Sequence, residues 1–305
     1  MRGLKLRFLL ILLTFSSVFT YGQNPSYFKI GEDELSGIDI YDILQDKNQV
    51  YWLATNQGII KFDGYHFEFI QCSEMLNNSV FSLKTDTSGA IFCNNLSGQI
   101  FKIQNNHCKV FFQLPDSLMS SYLYYEFDEY NNLVIGSNSL FRVTPKKQVE
   151  IIIPKNYSTQ RFSEIFKTKE NSLLTFDANT RQLVKLEKGK SYIDKVSNVN
   201  SDEIMLQYFY LNNKLYCFNI FQNTFIYEND SIIKDIFPLK DEKKKLIRFY
   251  SDNNYLWVSK QSGGVYIFNK NFEGLFNGNT IFESNLISSI YKDKEGNSIL
   301  GTFGE

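Results

Sequence analysis

Few residues in this sequence have the type and spacing that catalytic or metal-binding chemistry requires. The 305 residues include two histidines, His66 and His107, which leaves little room for imidazole-based acid–base or metal chemistry. The cysteines at positions 72, 93, 108 and 217 contain no C-x-x-C pair, so the sequence indicates no zinc or redox motif. Cys93 and Cys217 lie in apolar patterns typical of buried side chains. A bridge between Cys72 and Cys108 is conceivable in an oxidising compartment, but we expect none.

Carboxylates are plentiful, yet they do not form a catalytic pattern. Most acidic residues lie in turn or loop patterns, where a solvated carboxylate is the default; examples of the acidic residues are Asp116, Glu126, Asp128 and Glu129. No acid, base and stabilising group can be assembled at one site. The segment Phe111–Tyr130 is either a binding loop or, as we favour, a strand with its lead-in. The sequence therefore predicts no catalytic residues, no metal and no cofactor, and it identifies no ligand-contacting residue.

The elements that position any site are predicted to be strands. The chain has 28 Phe, 19 Tyr and 2 Trp but three Ala, and aromatic side chains favour pleated sheets whereas Ala favours helices. An apolar content of 43% is enough for a sizeable core and argues against global disorder. With a formal net charge of −1 and no basic block, the sequence argues against a nucleic-acid partner.

Residues 1–22 have the layout of a secretory signal peptide. Three basic residues fall within the first seven positions, and the apolar run Phe8–Phe19 follows them. Cleavage is expected around Gly22–Gln23. The alternative is an uncleaved N-terminal anchor, but the apolar run is shorter than the roughly 20 residues that a membrane-spanning helix needs. We therefore predict an exported chain whose residues 23–305 form the mature domain.

An internal repeat of about 41 residues is the strongest pattern in the sequence. Short apolar segments that end in small residues, such as Tyr51–Thr55, recur around positions 52, 92, 134, 174, 216, 257 and 300. Each unit reads as an alternating strand, a turn rich in Asp, Asn and Gly, this anchor strand, and one or two further strands. Four short antiparallel strands at this period are typical of a β-propeller blade, whereas β-solenoid repeats, the alternative, are generally shorter.

The period predicts an all-β propeller of about seven four-stranded blades, with the last one incomplete. The seventh unit offers two strands, Ile287–Tyr291 and Ser298–Thr302. Tyr27–Ile30 is a candidate for a strand donated to that blade. We expect the ring to be closed weakly or left open.

Large aromatics within the anchor strands are predicted to pack between neighbouring blades. The candidates are Trp52, Phe92 and Trp257. The alternative for the two tryptophans is an exposed platform on which a sugar stacks. Small residues after each anchor are expected where adjacent sheets approach closely.

Three units resemble a known family of repeats. Ile40–Asp46 followed by Val50–Phe67 has a hydrophobic strand, an Asp, a turn, an aromatic, a small residue with Thr, then Gly, aliphatic residues and an aromatic-Asp-Gly close. Leu256–Tyr266 and Asp293–Thr302 match the same pattern, whereas the units at 122–143 and 162–186 keep the period alone. This pattern resembles the two-component regulator propeller repeat.

The resemblance implies the periplasmic sensor region of a Bacteroidetes-type sensor histidine kinase. Such a receptor continues into a membrane span and a cytoplasmic output module, neither of which is present in these 305 residues. By this resemblance the chain is the N-terminal part of an inner-membrane receptor of a two-component system. Its partner is then a small molecule or oligosaccharide ligand, with a homodimer as a further possibility. The alternatives are a secreted propeller enzyme and an adhesion or scaffold propeller.

Overall fold

The computed structural model describes residues 26–119, 122–154, 161–187, 193–198, 205–219, 224–228, 231–235, 246–252 and 254–304. The predicted signal peptide, residues 1–22, lies outside the described residues. The chain divides into two compact units, Met1–Ile30 and Gly31–Glu305. Within the first unit, residues 26–30 form no strand, so the prediction of a donated strand at Tyr27–Ile30 is wrong.

The unit Gly31–Glu305 consists of consecutive antiparallel sheets, numbered here as blades 1 to 7 in chain order. The strands of blades 1 and 2 are β1 Ile40–Gln45, β2 Tyr51–Thr55, β3 Gly58–Phe62, β4 Phe67–Ile70, β5 Val80–Thr85, β6 Ile91–Asn95, β7 Gln99–Gln104 and β8 His107–Gln113. Blades 3 and 4 comprise β9 Tyr124–Phe127, β10 Leu133–Gly136, β11 Leu140–Val143, β12 Val149–Ile153, β13 Phe166–Lys167, β14 Leu173–Asp177, β15 Gln182–Leu186 and β16 Ile193–Asn198. Blades 5 to 7 comprise β17 Met205–Leu211, β18 Lys214–Asn219, β19 Thr224–Glu228, β20 Ser231–Asp235, β21 Leu246–Ser251, β22 Tyr255–Lys260, β23 Val265–Asn269, β24 Ile287–Lys292 and β25 Ser298–Thr302.

Each blade is built from sequence-adjacent strands, which is the topology of a β-propeller. All seven anchor positions fall in the second strand of their blade, as the repeat predicts. The segment Phe111–Tyr130 contains the end of β8, a short 3₁₀ helix at Asp116–Leu118 and the start of blade 3, in agreement with a strand and its lead-in.

Blade 6 departs from the prediction because it has three strands among the described residues instead of four. After β23 the chain makes two isolated bridges, Phe268 with Gly274 and Val265 with Ile281, and a 3₁₀ helix between them. Positive φ angles at Phe272 and Phe276 interrupt the extended backbone that a fourth strand needs. Blade 7 has the two strands that its sequence predicts.

The ring is closed where blade 7 meets blade 1, so of the two expected states, weakly closed or open, the open one is wrong. β24 and β25 both lie against β1. The Tyr51 hydroxyl donates to Asp293 at 2.8 Å, and the backbone N–H of Gly304 donates to Asp39 at 2.7 Å. A Cβ on Gly301 would lie 2.8 Å from Cγ2 of Ile40, so these sheets approach too closely there for a larger residue. Side-chain packing and hydrogen bonds thus close the ring.

A disulfide joins the outer parts of blades 1 and 2. Cys72, just after β4, is bonded to Cys108 on β8, with a Cα–Cα distance of 5.2 Å. The expectation of no bridge is therefore wrong: the outermost strands of adjacent blades bring together two cysteines 36 residues apart. Cys93 and Cys217 are free and buried, and burial raises the pKa of both thiols.

Candidate functional site

Charged side chains from five blades meet at the centre of the ring. The first strands of neighbouring blades lie side by side there, as β1 does against β5 and β24. These strands, and the segment that enters β13, carry the residues that we name the central cluster: Asp42, Lys84, Glu126, Glu164 and Arg248. Glu164 of blade 4 interacts electrostatically with the four others, which belong to blades 1, 2, 3 and 6. That mutual interaction requires a common central space.

Backbone irregularities in the first strands help to aim these side chains. The pairing register shifts between Ile40 and Asp42 in β1 and between Phe81 and Lys84 in β5. Equivalent shifts occur in β17, β21 and β24. A β-bulge bends its strand and redirects the side chains beside it. The recurrence of the shift in five first strands is therefore a property of the repeat.

Polar side chains of one blade satisfy the backbone of the next blade at these shifts. Asp42 accepts a hydrogen bond of 2.7 Å from the Leu83 N–H. The Gln207 side-chain carbonyl accepts one of 3.1 Å from the Phe249 N–H. Since an unpaired buried N–H is costly, these bonds stabilise the contact between consecutive blades. Part of the central polarity is therefore structural.

Lys84 and Glu126 also satisfy each other. The Lys84 ammonium lies 2.7 Å from a Glu126 carboxylate oxygen, and the two side chains are 31% and 13% exposed. Burial alone would lower the pKa of Lys84, but the carboxylates of Glu126, Glu164 and Asp42 together outweigh it, with Glu126 contributing most, and raise that pKa. Lys84 is therefore charged at neutral pH and neutralised by its partner.

Three side chains at the centre have no partner side chain of this kind in the described ranges. Among the described residues, the Glu164 carboxylate and the Tyr124 hydroxyl have no hydrogen-bond or ion-pair partner. Arg248 donates its Nε–H to the Ser288 carbonyl at 3.3 Å, and no carboxylate within the described ranges pairs with its guanidinium. Glu164 and Tyr124 are half-buried and Arg248 is exposed, so all three are accessible to a small molecule at the centre.

The environment of these groups changes their protonation. Desolvation raises the pKa of Glu164 to about 7, although Lys84 and Arg248 oppose the shift. Desolvation, followed by the charge of Glu164, raises the pKa of Tyr124 to about 12. Burial also raises the pKa of Asp42, against its hydrogen bond from Leu83. At neutral pH Glu164 therefore exists in both protonation states and can donate or accept a hydrogen bond.

Among the described residues, the groups that metal or imidazole chemistry needs are not gathered at the centre. Within the described ranges, no three His, Cys, Asp or Glu residues are placed to hold a metal ion. Both histidines are exposed on outer parts of their blades, His66 just before β4 and His107 at the start of β8. The part of the chain that the structure describes also contains no helix of the length and hydropathy needed to cross a membrane.

The three aromatic residues singled out in the sequence lie at blade interfaces. Trp52 is 5% exposed in an apolar cluster formed by blades 1 and 2. Phe92 is 2% exposed and meets the Phe127 ring of blade 3 edge-on, with 5.0 Å between centroids. Trp257 is half-buried against a cluster that includes Ile281 and Ile287. None of the three belongs to the central cluster.

The central residues escaped the sequence analysis although the repeat carries a signal for them. Asp42, Lys84 and Glu126 are spaced by 42 residues, each within a first strand, and Glu164 and Arg248 fall in the corresponding parts of later units. Glu126 lies within β9, so it is not one of the acidic residues in turns or loops. A charge at the same place in successive repeats is the signal that identifies a shared central space.

Comparison with known proteins establishes the fold. No family model and no curated protein sequence matches the chain. It is similar in structure to virginiamycin B lyase from Staphylococcus aureus, with a TM-score of 0.69 and 13% identity over 90% of this chain and 94% of that one. The extracellular domain of a putative hybrid two-component system from B. thetaiotaomicron matches with a TM-score of 0.67 and 15% identity, over 92% of this chain and 38% of that one. PorZ, a surface component of the type-IX secretion system of Porphyromonas gingivalis, matches with a TM-score of 0.62 and 13% identity, over 87% of this chain and 36% of that one. The chain is a β-propeller whose fold is shared by a lyase, a two-component extracellular domain and a secretion component.

Proposed function

We propose that this chain is the extracytoplasmic, ligand-sensing propeller of a two-component signal transduction receptor. The observation that carries the proposal is a set of central groups on a fold shared with a two-component extracellular domain: within the described ranges, Tyr124 and Glu164 have no hydrogen-bond or ion-pair partner, and Arg248 has no carboxylate partner. Polar groups that converge without satisfying each other are typical of a binding site.

The sensing mechanism follows from the distribution of these groups over separate blades. Tyr124 belongs to blade 3, Glu164 to blade 4 and Arg248 to blade 6. A ligand that contacts all three favours the arrangement of blades in which they are correctly spaced. Differential affinity for that arrangement shifts a two-state equilibrium. In the proposed receptor, the N-terminal part of a sensor histidine kinase anchored in the inner membrane, the shift is reported from the periplasm to the output module, within one chain or a homodimer.

The enzyme alternative has less support at the centre of this ring. One of the matching structures is a virginiamycin B lyase made catalytically inactive by replacement of a histidine with alanine. The two histidines of the present chain, His66 and His107, are exposed on outer parts of blades 1 and 2. An adhesion or scaffold role gives no reason for central charges that have no ion-pair partner in the described ranges.

Signalling is tested by substitution at the native locus followed by transcript profiling. Candidate ligands come from thermal-shift screening of the exported protein against small molecules and oligosaccharides. We expect a hit to change transcription in the wild-type strain and to have no such effect in an Arg248→Met strain.

The matched control is Arg142→Met. Arg142 on β11 pairs with Asp128, just after β9, and with Glu150 on β12, and it does not belong to the central cluster. The control strain should respond like wild type. A bound ligand that leaves transcription unchanged in the wild type would contradict the sensing proposal.

A further inference from the structure

We infer that the centre of the ring binds a zwitterionic small molecule, with its carboxylate on Arg248 and its ammonium group on Glu164. The inference rests on the proposed sensing function and adds the chemical class of the ligand. An α-amino acid is the simplest member of this class.

Charge balance within the central cluster carries the argument. The Lys84 ammonium is paired with Glu126 at 2.7 Å. The Asp42 carboxylate accepts hydrogen bonds from two backbone N–H groups. Arg248 then remains without an ion-pair partner in the described ranges, and Glu164 is the one carboxylate of the central cluster that has neither an ion-pair partner nor a hydrogen-bond donor there. A ligand with one charge of each sign complements this remainder.

Arg248 and Glu164 are near each other but are not bonded to each other. Arg248 and Glu164 interact electrostatically, yet they form no ion pair within 4.0 Å. They therefore do not neutralise each other directly. The Tyr124 hydroxyl interacts with both groups and has no protein partner in the described ranges, so it is placed to donate to the ligand's carboxylate. An Arg fork binds a carboxylate with two parallel hydrogen bonds.

Other ligand charges fit this remainder less well. A neutral oligosaccharide would cover Arg248 and Glu164 without supplying a counterion to either, and covering an unpaired charge is costly. A ligand that carries negative charge alone would satisfy Arg248 but would be repelled by the ionised form of Glu164. A purely cationic ligand would satisfy the ionised Glu164 but would be repelled by Arg248.

Calorimetric titration of the protein at about pH 8, where Glu164 is ionised, tests the ligand class. The probes are the twenty common α-amino acids, with propionate and ethylamine as fragments that keep one charge of L-alanine. We expect at least one amino acid to bind, and its carboxylate-only and ammonium-only counterparts to bind at least about tenfold more weakly.

Substitutions locate the site. Arg248→Met and Glu164→Gln should each weaken binding of that amino acid by about 10- to 100-fold, the loss expected for a charge-assisted hydrogen bond. Arg142→Met and Glu68→Gln make the same chemical changes on outer strands and should leave affinity unchanged. Circular dichroism and thermal melting verify that each variant is folded.

The outcomes separate the ligand class from the sensing function. Failure of every amino acid to bind at about 10 mM, or binding that neither central variant weakens, would overturn the zwitterion inference. Should an oligosaccharide bind instead and trigger transcription in an Arg248-dependent manner, the ligand class is wrong and sensing stands. An amino acid that binds at the centre without any transcriptional response leaves the ligand class supported and contradicts sensing.

Discussion

Two charged groups three residues apart at the entrance to blade 4 have opposite surroundings. Arg161 is 8% exposed and makes a bidentate pair with Asp177, which is 2% exposed, at 2.8 and 2.7 Å. Its remaining Nη1 group donates to the Pro154 carbonyl at 2.8 Å. Glu164, in contrast, has no hydrogen-bond or ion-pair partner among the described residues.

The contrast separates charges that maintain the fold from charges available for binding. The Arg161–Asp177 pair lies within blade 4 and satisfies itself, so no ligand is needed to offset its burial. Glu164 faces the centre of the ring, and desolvation raises its pKa to about 7. Natural proteins sacrifice stability at sites where function requires it. Substitutions at the two places should therefore have opposite effects on the stability of the protein.

The largest expected effect is that of Asp177→Ala. Removal of the carboxylate leaves the Arg161 guanidinium buried and unpaired, which should lower the free energy of unfolding by about 3–5 kcal/mol. Urea denaturation measures the loss. Glu68→Ala, on the exposed strand β4, is the control and should change stability by less than about 1 kcal/mol. An equally small loss of unfolding free energy in both variants would show that the buried Arg161–Asp177 pair does not maintain the fold.

The second effect has the opposite sign and depends on pH. The folded-state pKa of Glu164 is raised from 4.5 to about 7, so the folded protein binds this proton more tightly than the unfolded chain does. The wild type should therefore lose stability through this group as pH rises from about 4.5 to 7. Glu164→Gln should be more stable than wild type by up to about 3 kcal/mol at pH 8.

Denaturation series at several pH values measure this difference. Below about pH 4.5 both folded and unfolded wild-type chains carry a protonated Glu164, so the advantage of the variant should disappear there. The charged groups that face Glu164 are Lys84, Arg248, Glu126 and Asp42, and they are retained in both proteins. A Glu164→Gln variant that is less stable than wild type at pH 8 would show that the carboxylate has a structural partner.

Asp293 at the closing interface should give an intermediate loss. Desolvation would raise its pKa, but hydrogen bonds from Asn297 and Tyr51 outweigh it and lower that pKa. Asp293→Ala should cost about 1–3 kcal/mol because it removes charge-assisted bonds within blade 7 and to blade 1. Hydrogen exchange should then accelerate first in β24 and β25. Unchanged exchange in these strands would mean that the ring does not depend on this contact.

The smallest effect is expected at an exposed ion pair. Lys61 and Glu68 lie 3.1 Å apart with side chains 22% and 51% exposed. A double-mutant cycle with Lys61→Met and Glu68→Gln should give a coupling free energy of about 0.2–1 kcal/mol that falls with added salt. A coupling free energy as large as the loss in Asp177→Ala would show that an ion pair contributes equally to stability whether it is buried or exposed.

The repeat made most of the fold predictable from the sequence. Each anchor strand lies in the second position of its blade because one pattern of apolar residues and Asp, Asn or Gly turns recurs about every 41 residues. The close approach of blades at small residues was also foreseen, as at Gly136, where a Cβ would lie 3.0 Å from Cβ of Phe162. These features depend on residues that are neighbours within one or two units.

Features that depend on the assembled ring could not be predicted in this way. The bond between Cys72 and Cys108 requires the relative position of two outer strands in adjacent blades. The central cluster requires five blades to face one another, and a single charge within an alternating strand is ordinarily solvent-exposed. Blade 6 has three paired strands because of local positive φ angles, as at Phe272. Such an angle is rare for an aromatic residue, so the sequence does not predict it.

The central claim is that Glu164 and Arg248 are present for binding and not for the fold. Thermal denaturation of the double variant Glu164→Gln/Arg248→Met at about pH 8, without ligand, tests it most directly. Arg248 contributes one long hydrogen bond of 3.3 Å to the Ser288 carbonyl. The raised pKa of Glu164 means that its ionised form destabilises the folded protein. We therefore predict a midpoint equal to or above that of the wild type. A midpoint lower by about 5 °C or more would contradict the account, because it would mean that these two side chains hold the blades together.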